Sequence, residues 1–195
     1  MVPRTLVLAS RNPHKLREFR RLLEPAGIEL KALPDALELP PEDGLTFAEN
    51  ALPKARTAAA GTGRAAIADD SGIEAQALGG APGVRSARYA GEGASDQANL
   101  DKLIAHAPAG SGLRYVCVLA YIDPRAGVER LFFGECRGRI AGAPRGSGGF
   151  GYDPVFIADQ APDGSTMAEL SDEQKDSISH RGNAARALSA WLEGQ

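Results

Sequence analysis

Ala66-Ile67-Ala68-Asp69-Asp70-Ser71-Gly72 opens as an apolar run of strand type and ends in two carboxylates, a hydroxyl and a glycine. Successive residues of a strand point to opposite faces, so only one of the two aspartates can enter a cleft while the strand lasts. The other is expected to tie down the turn that follows. Acidic residues at the carboxyl end of a buried strand stand where open α/β sheets place their ligands. A hard carboxylate there suits Mg2+, which recruits substrate phosphates as further ligands. An Asx-type turn, with both aspartates capping backbone amides, accounts for the same segment without a ligand. The segments on either side have to decide between the two.

Working outward, the bulk properties set limits. A chain of 195 residues fits one domain, residues 1–195, with room for two lobes and a proper core. Its 43% apolar and 24% charged residues are ordinary for a globular protein, and a net charge of −3 argues against a general nucleic-acid binder. Cys117 and Cys136 lie in apolar, strand-like runs without metal-ligand spacing, which reads as buried reduced thiols of a cytoplasmic protein. The chain reaches polar Ser10-Arg11-Asn12 too soon for a signal peptide, and no apolar run approaches the length of a membrane span. Its 23 glycines and 13 prolines gather in loops rather than spreading as in disorder.

Upstream, Thr5–Ala9 reads as a buried strand, and Leu16, Phe19, Leu22 and Leu23 follow at helical spacing. Asn12 suits the N-cap and Pro13 the first helical position. Strand, short polar loop and helix aim free amides at an anion, and Ser10 and Lys15 add a hydroxyl and an ammonium; the glycines of a Walker loop are absent. Ile28–Leu33 is a second strand, followed by a proline-rich acidic loop. Thr46 and Glu49 have capping-box spacing for an alanine-rich helix that stops at Gly61, kinks at Pro53, and carries Asn50 and Lys54 on one face.

Downstream, Ser95 caps a helix whose apolar positions are Leu100, Leu103 and Ile104. Tyr115–Ile122 and Glu129–Cys136 form a hairpin pair, which makes the sheet mixed. Gly146 to Pro154 is a glycine-dense loop in which Phe150 and Tyr152 offer flat faces to a base, and it leads into the strand Val155–Ile157. Lys175 and Ser179-His180-Arg181-Gly182 precede a last helix from about Asn183 to Trp191.

Seven segments in this order closely resemble the inosine triphosphate pyrophosphatase family. They are Ser10-x-Asn12-x-x-Lys15, Phe47-x-Glu49-Asn50-Ala51-x-x-Lys54-Ala55, Ala68-Asp69-Asp70-Ser71-Gly72, Gly79-Gly80-Ala81-Pro82-Gly83, Ser86-Ala87-Arg88-Tyr89, Gly148-Gly149-Phe150-Gly151-Tyr152-Asp153-Pro154 and Ser179-His180-Arg181. The resemblance covers nearly the whole chain. It implies an α/β fold in which an elongated mixed β-sheet is flanked by helices, with two lobes and a central active-site cleft. It also implies a homodimer, Mg2+ dependence, and hydrolysis of the non-standard purine nucleotides dITP, ITP and XTP to the monophosphate and pyrophosphate, keeping them out of DNA and RNA.

By the same resemblance Asp70 is the proton acceptor and a Mg2+ ligand, with Glu42 the second metal carboxylate and Asp43 the alternative. Ser10, Arg11, Asn12, Pro13, His14 and Lys15 grip the triphosphate, and Lys54 and Lys175 are candidates for the same task. His180 and Arg181 donate to the 6-carbonyl of inosine and xanthine, a place where adenine presents an amino donor. Phe150 stacks on the ring, with Ser71, Gly151, Tyr152 and Asp153 nearby. A Maf-type nucleotide pyrophosphatase shares the reaction class but would lack the Ser179-His180-Arg181 ending. A non-catalytic nucleotide-binding protein could spare Asp70.

Overall fold

Strand order β2-β1-β3-β4-β5-β6 defines one six-stranded sheet in the computed structural model, which describes residues 4–195. The strands are β1 (Arg4–Leu8), β2 (Ile28–Ala32), β3 (Ala66–Ala75), β4 (Gly112–Asp123), β5 (Val128–Ile140) and β6 (Phe156–Ala158). The helices are α1 (Pro13–Leu23), α2 (Phe47–Thr62), α3 (Asp96–His106), α4 (Asp172–Ile178) and α5 (His180–Glu193). Parallel pairing sets Leu6 opposite Leu30 on β1 and β2, and Leu8 opposite Ile67 on β1 and β3. β5 and β6 are antiparallel, with Arg139 opposite Ile157. The sheet is therefore mixed, as the hairpin pair implied.

The chain divides into two compact units. The first holds the residues up to Asp70, then Cys117–Gly134 and Arg181–Gln195; the second holds Ser71–Val116 and Glu135–His180. In the first, Leu6, Leu8, Phe19, Leu23, Ile67 and Leu188 form the core, so α1 and α5 share the face of β3 that carries Ile67. α2 turns Ala51, Ala55, Ala58 and Ala59 inward, small side chains that keep its axis close to what it covers. In the second unit Ile73, Leu103, Tyr115, Val155, Phe156 and Met167 pack together. Both cysteines are buried free thiols.

Local signals explain most element ends. Asn12 caps α1 by accepting from the amides of His14 (2.8 Å) and Lys15 (3.3 Å), and Pro13 stands where no amide is needed. Thr46 and Glu49 close the expected capping box on α2, and Ser95 caps α3. α2 continues through Pro53 and past Gly61 to a left-handed cap at Gly63; Gly61 is a packing position instead, since Leu37 stands where a side chain there would be. Ile104 is 38% exposed, so the buried apolar residues of α3 are Leu100 and Leu103, with Asn99 buried beside them.

Two expectations need larger correction. β3 does not end at the aspartates but runs five residues further, with Ile73 and Ala75 fully buried. Gly72 is no breaker here, since the alternation of inward residues resumes after it and the Ile73 amide is met by the Ser86 hydroxyl at 2.8 Å. α5 begins at His180 rather than near Asn183, because one extended residue, Ser179, separates it from the end of α4. α4 itself is held by a capping box between Ser171 and Gln174.

Candidate active site

Strand parity separates the two aspartates as the sequence requires. Asp69, fully buried, meets Lys15 Nζ of α1 at 2.9 Å and Arg181 Nε of α5 at 3.5 Å. Asp70, on the opposite face, accepts from Asn50 Nδ2 of α2 at 2.9 Å. Lys54, one helical turn after Asn50, donates to the Asp69 carbonyl at 2.9 Å and to Glu42, and lies 4.0 Å from Asp70 Oδ1. Asp69 thus ties α1 and α5 to the strand rather than tying down a turn.

The electrostatics follow from this division. Burial alone would push Asp69 up, but the charges of Lys15, Arg181 and Lys54 prevail and hold it well below the usual carboxylate range. Burial pushes Asp70 up, and the opposing pull of Lys54 and of the Asn50 hydrogen bond does not cancel it. Burial would lower the Lys54 ammonium, yet Asp69, Glu42 and Asp70 together raise it. One strand therefore carries an anchor that favours its ionised form beside a carboxyl suited to accept a proton.

Glu42 is the acidic-loop residue that reaches Lys54, whereas Asp43 is exposed. Among the described residues no cluster of three or more His, Cys, Asp or Glu side chains could hold a metal ion. Glu42 and Asp70 thus amount to two hard carboxylates around one ammonium. That donor set is too small for an all-protein cage but suits Mg2+, which takes one or two carboxylates and completes its shell with water and phosphate oxygens.

The second unit gathers the other candidates around Asp153, a buried residue. Its carboxylate accepts from Lys175 Nζ (2.7 Å), the Phe150 amide (2.9 Å) and the Tyr115 hydroxyl (3.1 Å). Gly149 adopts φ +69°, and a side chain there would collide with Asp153 Oδ2 at 2.0 Å, so the loop closes on this carboxylate only with glycine. Lys175 Nζ lies 5.4 Å from the centre of the Phe150 ring. The His180 ring stacks on Tyr115 with centroids 4.5 Å apart and planes 9° apart. The Gly151 amide donates to Asp96 at 3.0 Å.

Of the expected residues, Lys15, Lys54, Glu42, Asp70 and Arg181 belong to the first group, and Phe150, Asp153, Lys175 and His180 to the second. His180 and Arg181 are neighbours in sequence but serve different groups, since Arg181 Nη1 also pairs with Glu18 at 3.0 Å. Arg11 donates to the carbonyls of Leu33, Pro34, Asp35 and Leu37, which makes it the clasp of that loop. The Ser10 hydroxyl accepts from the Asn12 amide at 3.2 Å, while His14 Nδ1 lies 2.8 Å from Arg17. Tyr152 is a core residue whose hydroxyl donates to the Ser86 carbonyl at 2.7 Å. Ser71 is the half-buried first residue of the second unit. Sequence reasoning missed Glu18, Tyr115 and Ser86 and gave Asn50 no role. Asn50 carried a signal in its shared helix face with Lys54, and Ser86 in the segment Ser86-Ala87-Arg88-Tyr89, whereas Glu18 and Tyr115 carried none.

Comparison with known proteins agrees over nearly the full length. A family model described as the Ham1 family matches residues 6–191. The chain is 51% identical over 196 residues to a dITP/XTP pyrophosphatase of Symbiobacterium thermophilum, covering 99% of this chain and 95% of that one. It is 50% identical over 198 residues to a dITP/XTP pyrophosphatase of Frankia alni, covering 96% of both. Among solved structures it resembles a HAM1 protein from Coxiella burnetii, with a TM-score of 0.85 and 39% identity over 98% of this chain and 100% of that one. It resembles the Staphylococcus aureus Ham1 protein at a TM-score of 0.81 and 39% identity, over 98% and 99% of the two chains.

Proposed function

Because this chain belongs to the Ham1 family, we propose that it is a pyrophosphohydrolase that converts dITP, ITP and XTP to the monophosphate and pyrophosphate. The observation that carries this reading is the environment of Asp70, a buried carboxyl pushed up by desolvation and facing Lys54, which it shares with Glu42. Asp70 takes the proton of the water that attacks the α-phosphorus. As the new P–O bond forms, the bond to the bridging oxygen breaks and pyrophosphate leaves. Lys54, kept cationic by its carboxylate neighbours, and Lys15 supply positive charge for the phosphates. Glu42 and Asp70 would hold Mg2+, which when bound offsets phosphate charge and activates water.

The second group suits the purine. Phe150, fixed through its own amide and with Lys175 over its ring, offers a stacking face, and His180 is held flat against Tyr115. His180, and separately the Arg181 guanidinium anchored by Glu18 and Asp69, are each donors suited to a 6-carbonyl and unsuited to the amino group of adenine. Asp153 acts on the base through Phe150 and Lys175. A homodimer and a cytoplasmic location are parts of the same proposal; no helix of the described residues is long and apolar enough to cross a membrane.

A product assay with Mg2+ at neutral and alkaline pH tests the reading. Pyrophosphate should form from dITP, ITP and XTP far faster than from ATP or GTP, and Asp70→Asn should abolish it. Orthophosphate as the product, or equal turnover of ATP, would overturn it.

A further inference from the structure

Asn50 is 2% exposed on the first turn of α2, and its side-chain amide is used in both directions. Oδ1 accepts from the Gly44 amide at 2.8 Å, and Nδ2 donates to Asp70 Oδ2 at 2.9 Å. The partners leave no choice of orientation, since a backbone N–H can only donate and a carboxylate can only accept. Gly44 lies two residues after Glu42, and a side chain on it would come within 2.7 Å of Asn50 Oδ1 and 2.6 Å of Glu49 Cβ. Only glycine lets the acidic loop settle so close to the helix. With Oδ2 of Asp70 committed to Asn50, Oδ1 is the oxygen turned toward Lys54, the ammonium that also holds Glu42.

We propose that Asn50 is a positioning residue for the hydrolysis, whose one amide fixes the rotation of the Asp70 carboxylate and the seat of the loop carrying Glu42. The proposal rests on the pyrophosphohydrolase reading and on Glu42 and Asp70 as the carboxylates toward the divalent cation. Partners of this kind, hydrogen-bonded to ligating carboxylates, are generally worth about 10–100-fold in metal affinity or activity. Asn50 does not touch the substrate in this scheme. It acts by keeping two carboxylates, from a strand and from a loop, in one fixed relation.

The test uses the full chain and two readouts. Mn2+ is titrated into the protein with α,β-methylene-ITP present and followed by the free Mn2+ EPR signal, while kcat and KM for dITP are measured separately with Mg2+. Asn50→Ala should weaken Mn2+ binding about 10–100-fold and lower kcat with KM little changed. Asn50→Leu keeps the side-chain volume but loses both the acceptor for the Gly44 amide and the donor to Asp70. It should show the same pattern, and it carries the test if Asn50→Ala does not fold. Gly44→Ala, which pushes the loop off Asn50 and Glu49, should weaken Mn2+ binding as well. Mn2+ affinity and kcat within about twofold of wild type in a folded Asn50 variant would overturn the proposal, as would a raised KM with kcat unchanged. Failure of the wild type to release pyrophosphate would instead sink the functional reading, with the Mn2+ comparison still reporting on Asn50.

Discussion

Asp153 accepts from an ammonium, a backbone amide and a phenol at once. Its partner Lys175 is 5% exposed at the side chain and Asp153 itself 4%, so neither charge can fall back on water. Desolvation makes such a pair a poor source of net stability, but removing one member leaves the other stranded. Asp153→Asn should therefore cost about 3–5 kcal/mol in urea unfolding. Adding Lys175→Met to it should recover part of that loss, because the pair then leaves the interior together. A double mutant no more stable than Asp153→Asn would show that Asp153 serves the Phe150 amide and the Tyr115 hydroxyl more than the lysine. Loss of dITP turnover in the double mutant despite recovered stability would place the pair's task in holding the glycine loop against the base.

At the scale of elements, α2 joins most of the first group, since Asn50 and Lys54 reach Asp70, Glu42, Gly44 and the Asp69 carbonyl from successive turns. Its start is fixed by Thr46, which accepts from the Glu49 amide while Glu49 reaches back to the Thr46 amide. Thr46→Ala should cost about 1 kcal/mol of stability in urea unfolding, and it should lower kcat for dITP through the frayed first turn that holds Asn50. An unchanged kcat alongside the stability loss would show that the tertiary bonds of Asn50 and Lys54 alone keep the turn in place. This cap was legible in the sequence, as were the caps of α1 and α3, because each depends on residues two or three apart. The parity of Asp69 and Asp70 was legible for the same reason. The length of β3 was not, since Gly72 looks like a breaker until Ser86 is seen to meet the strand beyond it. Nor could sequence show that Tyr115 lies under His180, or that Arg181 parts from its neighbour to join Glu18, because those contacts span 65 and 163 positions of chain.

For the molecule as a whole, buried ion pairs link the fold to pH, and Asp69 gives the clearest sign. Its folded form is held well below the usual carboxylate range by Lys15, Arg181 and Lys54 in spite of burial, while in the unfolded chain it titrates near about 3.9. A carboxyl with a depressed folded value contributes stability that is fully present above the unfolded value and is lost as pH falls toward the folded one. Asp69 therefore stabilises the protein across neutral pH and progressively less below about pH 4. Asp69→Asn removes the charge and leaves Lys15 and Arg181 facing an amide. The gap in unfolding free energy between wild type and variant should be largest and constant from about pH 5 upward and should shrink steadily below about pH 4. Urea melts of both proteins at pH steps from 7 down to 3 would measure it. A gap that stays level to the lowest pH would mean that the variant suffers from packing at α1 and α5 rather than from lost charge. A gap that widens on acidification would mean that the sign of the Asp69 shift is wrong. The shrinking gap alone would make the strand's first aspartate an electrostatic anchor and leave the chemistry to the second.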